Sequence, residues 1–278
     1  MALSPATAFA LILAAAPASA ARVLAAPAPL PLASHRAAYD LSLADPASRI
    51  GSLQSPVAAT GMIAYEFHGS SCDGYTSDFR QVTRVQRSEG EPLATGVTAT
   101  SFEDGSGKSM RFEVEPQGQD PSPTVQGTAS RGTGDDLRVL LTKPSTMAID
   151  FGHDVLFPTQ HIERLIAAGQ KGERLVQARV YDGSDTGAKI FDTLAVIGRQ
   201  ASAPGMDDAI AGLKGVPRWP VVVSYFDEGS RQSTPDYTLS FDLYENGVSG
   251  SLKLDYGQFA LNAKLQRLEI LPTPPCGK

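Results

Sequence analysis

No cluster of lysine or arginine occurs in the 278 residues, and the formal net charge is −6. Nucleic acid and anionic lipid headgroups are held through such clusters, so neither is an expected partner. Cys-x-x-Cys and His-x-x-x-His spacings are missing, and the four histidines (His35, His68, His153, His161) are scattered. No metal is therefore expected. Gly-x-Ser-x-Gly is absent, and no serine or cysteine carries a recognisable nucleophile signature, so no residue is singled out as catalytic. "DGSGKSM" holds the "GKS" of a phosphate loop, but the glycine required five residues earlier is Phe102. The flanking "TATSF" and "MRFEV" alternate as strands, so a polar hairpin loop is expected and no cofactor.

Charge is also missing from the start of the chain. Residues 1–20, "MALSPATAFALILAAAPASA", contain no ionisable side chain. An apolar stretch from Ala6 to Ala15 leads to Pro17 and an Ala18-Ser19-Ala20 cleavage pattern, which predicts a secretory signal peptide removed after Ala20. A membrane span needs about 20 apolar residues, and Pro5, Pro17 and Ser19 interrupt this one. The Ala/Pro-rich residues 21–34 read as an extended segment, and residues 35–278 as one exported domain.

Cysteine is nearly absent: Cys72 in "HGSSCDGYTSDF" and Cys276 in the tail "LPTPPCGK". In an oxidising compartment two cysteines and no others point to a Cys72–Cys276 disulfide, with a pair of free thiols as the alternative.

What the chain has in abundance is period-two alternation. In "YTLSFDLYENGVSGSLKLDY" the apolar positions Tyr237, Leu239, Phe241 and Leu243 lead to Asn246-Gly247, a strong hairpin signal. A two-residue turn there predicts Glu245 opposite Val248, Phe241 opposite Leu252, Leu239 opposite Leu254 and Tyr237 opposite Tyr256. Phe259, Leu261 and Leu265 continue the phase into a third strand. "AAYDLSL", "MIAYEF", "MRFEV", "DLRVLL", "LVQARVY", "KIFDTLAVIG" and "WPVVVSYF" add more, giving about a dozen strands bounded by turn residues. The expected class is mainly β, an antiparallel barrel or sandwich. Two intervals break the pattern. "PTQHIERLIAAGQKG" predicts a helix with Thr159 as N-cap and Gly169 as stop, and residues 204–215 predict a short helix or a loop.

A few residues stand out as candidates for a ligand or partner surface. His153 and His161 flank the helix start with Asp154 and Glu163, a set that could serve as general base or metal ligands, although structural roles are the simpler expectation. His35-Arg36 could anchor an anionic group or pair with a neighbouring carboxylate. Trp219 reads as a core or rim aromatic before a sugar platform.

The order of "LASHRAAYDLSL", "YEFHGSSCDGYT", "DVLFPTQHIERLI" and a cysteine at the extreme C-terminus resembles the EipB-like family of exported envelope proteins. The resemblance spans the mature chain. It implies an open, spiral-like β-barrel, a Cys72–Cys276 bond and a role in cell-envelope integrity, with no catalytic residue to carry over. The leading expectation is a non-enzymatic protein that binds a periplasmic or envelope-associated protein or component. The alternative is a carrier of a lipid, acyl chain or lipoprotein in the barrel cavity; a hydrolase using His153 or His161 is a third.

Overall fold

The computed structural model describes residues 32–44, 56–119, 121–201, 205–207, 210–228, 233–273 and 276. The expected signal peptide over residues 1–20 and most of the expected extended segment over residues 21–34 lie outside these. One arm of the chain runs through β1 (His35–Leu43), β2 (Pro56–Ser70), β3 (Gly74–Arg87), β4 (Leu93–Glu103), β5 (Ser109–Gln117), β6 (Val125–Arg131), β7 (Leu137–Lys143) and β8 (Met147–Gly152). Then come β9 (Val155–Leu156) and the helix α1 (Pro158–Lys171). The second arm returns through β10 (Leu175–Val180), β11 (Phe191–Ile197), β12 (Arg218–Asp227), β13 (Tyr237–Tyr244), β14 (Ser249–Asp255) and β15 (Ala260–Ile270).

The fifteen strands among the described residues form one sheet, antiparallel except where β9 lies parallel to β10. β1 pairs with β15, so the ends of the chain meet in the middle of the sheet and the middle of the chain forms its two edges, β8 and β9. Only His153 and Asp154 separate those edges in sequence, yet no ladder joins them. The curl is a barrel left open along one seam. Two arginines bridge the seam instead. Arg179 of β10 donates to the carbonyls of His153 (2.7 Å) and Phe151 (3.1 Å). Arg131 of β6 donates to the carbonyls of Gly107 (2.8 Å) and Val155.

The β13–β14 hairpin keeps the expected Leu239–Leu254 and Phe241–Leu252 pairs, but not the expected turn. Gly247 N–H donates to Tyr244 O (2.9 Å) and Tyr244 N–H to Val248 O (3.0 Å), with Gly247 at φ 86°. This is a three-residue loop with a left-handed glycine, which offsets the register by one. A bulge in β14 between Ser249 and Leu252 restores it. Asp207 holds that bulge by accepting from Ser251 N–H (2.6 Å) and Oγ (2.8 Å). A second bulge, opposite Ala38/Tyr39, shifts the buried phase of β15 from Leu265 to Leu268.

α1 starts earlier than expected. Phe157 is its N-cap and Pro158 its first residue, where proline's missing N–H costs nothing. Gln160 Oε1 accepts the Phe157 N–H at 3.1 Å. The stop is Gly172, left-handed at φ 76°, with Glu173 N–H returning to Ala168 O at 2.9 Å. Gly169, the expected stop, is a helical residue facing Trp219. The segment near 204–215 makes successive tight turns rather than a helix among its described residues.

α1 lies inside the curl, because strands of both arms touch it: Glu103 of β4, Arg131 of β6, Thr193 of β11 and Trp219 of β12. Leu165, Ile166 and Ala168 are buried with Val176, Ala195, Val221, Leu243, Phe67 and Tyr75. Amphipathic burial of this kind, at about 25 cal/mol per Å² of apolar area, is what holds a 14-residue helix that would be marginal alone.

Cys72 and Cys276 are bonded, S–S 2.02 Å, across a sequence separation of 204. Cys72 lies in the β2–β3 turn and Cys276 beyond β15. β2, β1 and β15 are adjacent, so the bond staples the tail across the middle of the sheet and leaves the seam untouched.

Candidate functional site

α1 fills one half of the curl and anchors there through a buried carboxylate. Glu103, the last residue of β4, is 5% exposed. Its oxygens accept Thr159 N–H at 3.1 and 3.2 Å and Thr159 Oγ at 2.9 Å. A carboxylate from another strand thus satisfies the first turn of the helix, a favourable place for negative charge. Beside it is a cavity of about 70 Å³ lined by His35, Tyr65, Phe67, Glu103, Thr159 and Ile162, among others. A water occupies about 30 Å³, so this space suits ordered water and not a lipid chain.

Burial pushes the Glu103 carboxyl up to about 7, against the two Thr159 hydrogen bonds and with repulsion from Glu163 and Asp104. An acid whose folded pKa is raised contributes stability that is full below its ordinary value of 4.5 and lost as pH rises through about 7. His161 acts in the opposite sense. Burial, then Arg164, pushes it down to about 4, so its contribution is present above 6.5 and lost as pH falls toward 4. The two are separated by substitution. Glu103→Gln keeps an acceptor for Thr159 and removes the titration. The wild-type advantage over this variant is expected to shrink by about 2–4 kcal/mol between pH 4.5 and 8, read from urea melts at both pH values. A constant difference would contradict the assignment.

Beyond α1, the inward face changes character. Tyr65, Phe79, Val97 and Ala99 of the first arm and Tyr225, Tyr237, Leu239, Leu252 and Leu254 of the second remain half-buried. The register puts them on the face that meets the helix: Tyr65–Phe79–Ala99 form one row, and Val223–Leu239–Leu254 another. Tyr65, Tyr225, Leu239 and Leu252 pack against the cluster that includes Leu165 and Ile166 of α1. Inward residues that α1 does not fully cover leave a partly accessible interior, the lumen. Its wall is aromatic: Tyr225 and Tyr237 stack at 4.4 Å, with Phe191 edge-on to both at 5.9 Å. Burial, foremost, raises both tyrosine hydroxyls above their ordinary range, with Asp182 adding to the shift.

The residues picked out by sequence do not converge. His35 is buried, donating from Nδ1 to Ala33 O (2.8 Å) between the Tyr65 and Phe67 rings, and it faces the small cavity rather than a surface. Arg36 is exposed and holds Glu66 with two bonds, 2.8 and 3.1 Å. His153 is exposed near Asp136 (3.9 Å) and Asp154 (3.6 Å). His161 is buried, with Nε2 3.5 Å from Thr193 Oγ. Trp219 is 3% exposed under the helix. His161 and Trp219 are therefore core residues and belong to no surface. Among the described residues no group of three His, Cys, Asp or Glu side chains is placed to hold a metal. Glu103 escaped notice in the sequence because it is one acid at a strand end; only the fold brings it to the helix.

Sheet, seam and helix together define a class: an antiparallel β-barrel left unclosed around an internal helix, with a partly exposed aromatic patch on its inward face. The chain belongs to the EipB-like family, whose model matches residues 26–272. It is 36% identical to the cell envelope integrity protein EipB of Brucella abortus (strain 2308) over 247 residues, 87% of this chain and 85% of that protein. A crystal structure described as a beta-barrel-like protein of a domain of unknown function from Brucella abortus superposes with a TM-score of 0.80. It is 34% identical and covers 87% of this chain and all of that one.

Proposed function

We propose that this chain is exported to the periplasm and maintains cell-envelope integrity by binding rather than by catalysis, taking an apolar envelope component into the half of the curl that α1 leaves unfilled. The half-buried inward set of Tyr225, Tyr237, Leu239, Leu252 and Leu254 carries this reading. Binding sites of this kind are concave and mostly apolar with a few polar groups, and Asp182 and the tyrosine hydroxyls supply those here. The family relative's name supports the envelope role. The burial of His161 against Thr193 fits a structural part for that histidine.

The test uses the apolar fluorophore N-phenylnaphthylamine. Saturable enhancement is expected with wild type, and a loss of about tenfold or more in affinity for Leu239→Trp, which fills the lumen. A deletion strain complemented with Leu239→Trp should remain sensitive to detergents, while wild type restores resistance. Equal probe binding and equal rescue by both would defeat the proposal.

A further inference from the structure

The sheet has a second place where something can be added, and it is outside the lumen. Tyr181 N–H donates to Leu156 O at 2.9 Å, so the odd residues of β10 direct their backbone groups away from β11 and toward β9. β9 pairs only with Arg179 and Val180. On the same side, the N–H and C=O groups of Leu175 and Gln177 meet no partner among the described residues.

This bare edge borders a groove of about 720 Å³ whose walls include Gln177 and Ala178 on β10, Asp154 in the seam turn and Arg164 on α1. On the outer face, Leu175 (64% exposed) pairs with Val196 (48%), which pairs with Val222 (39%). Three exposed apolar residues thus form a ladder that ends at the edge. Arg164 is exposed and makes no hydrogen bond or ion pair among the described residues. The groove's other cation, Arg179, is held by Glu228 at 2.7 Å. Asp154 lies 3.6 Å from His153, and Asp192 is one strand further in, opposite Arg179. Arg164 is thus the groove cation that no carboxylate neutralises among the described residues.

We propose that the β10 edge, Leu175–Ala178, is a docking site for an extended segment of a partner protein that alternates apolar and acidic residues. The main chain of the segment pairs with Leu175 and Gln177, the mode of strand addition. Its apolar side chains extend the Leu175–Val196–Val222 ladder on the outer face. Its carboxylates, on the alternate face, reach Arg164. The site is separate from the lumen and does not depend on a lumen ligand.

The test titrates a fluorescein-labelled octapeptide alternating valine and glutamate onto the full mature protein, followed by anisotropy. Saturable binding is expected, with the Leu175 and Gln177 amides newly protected from hydrogen exchange. Gln177→Pro removes one outward N–H without touching the β11 ladder, and Arg164→Glu reverses the charge. Each should weaken binding by about tenfold or more while the melting temperature holds. The lumen-filling Leu239→Trp variant should bind as wild type, which separates this site from the lumen. Replacing glutamate by lysine, or N-methylating alternate residues of the peptide, should abolish binding. The proposal is overturned if saturation is not reached, if the N-methylated peptide binds equally well, or if Gln177→Pro and Arg164→Glu bind as wild type. It is also overturned if sedimentation shows self-association that Gln177→Pro removes, since a second copy then occupies the edge.

Discussion

Reducing the Cys72–Cys276 bond is expected to lower the melting temperature by about 5–15 °C, and Cys72→Ser, Cys276→Ser and the double substitution should match it and one another. The bond closes a loop with a sequence separation of 204. Chain-entropy arithmetic for such a loop gives about 5 kcal/mol, an upper figure because compact denatured chains retain part of the constraint. Both cysteines are exposed, so reductant reaches them in the folded protein. The fold also specifies where the loss appears. The bond links the β2–β3 turn to the tail beyond β15, next to the β1–β15 ladder on which the meeting of the chain ends depends. Hydrogen exchange in reductant should rise first in β1, β15 and the Leu271–Ser34 contact (2.8 Å), and last at the β8–β9 seam. Unequal effects of the two single substitutions, or exchange that rises first at the seam, would contradict this placement.

Trp219→Ala is expected to cost about 3–5 kcal/mol, the price of emptying a large aromatic site. Trp219 is the platform on which α1 rests: a Cβ added at Gly169 would lie 2.8 Å from the indole. Gly169→Ala in wild type therefore forces the helix away and should destabilise by about 1–3 kcal/mol. With Trp219→Ala as background the clash is gone, and alanine's higher helix propensity should make the same change stabilising by about 1 kcal/mol. The sign reversal is the diagnostic, and a double-mutant cycle on urea melts reads it. If Gly169→Ala destabilises equally in both backgrounds, the close packing of the helix on Trp219 is not what fixes that glycine.

Much of the fold was legible because alternation is a local signal. The strands holding Tyr39, Ile63, Phe112 and Leu239 are where their apolar phase put them, and the Leu239–Leu254 register survives even though the turn is different. The Asn-Gly pair indicated a two-residue turn; the bulge that compensates for a three-residue one is held by Asp207, more than forty positions away, and no local pattern encodes that. Thr159 looked like an N-cap because it is a threonine before an apolar run. Phe157 is the cap instead, followed by Pro158 with its fixed φ, and a carboxylate from β4 accepts the Thr159 N–H. Gly169 looked like a stop for the same kind of reason, and the indole that requires a glycine there comes from β12. The cysteines gave a bond but not its place in the sheet: it lies near the centre, where the chain ends meet, while the edges are at mid-chain. The interior was the least legible part, because which inward residues α1 covers is decided by how the sheet curls.

The lumen is the centre of this account, and mass tests it most directly. Protein isolated from the cell envelope without detergent should show, under native ionisation, a species heavier than the same sample under denaturing conditions, the difference being a released apolar ligand. Leu239→Trp, prepared in parallel, should show no such difference. Identical native and denatured masses for wild type would contradict the account.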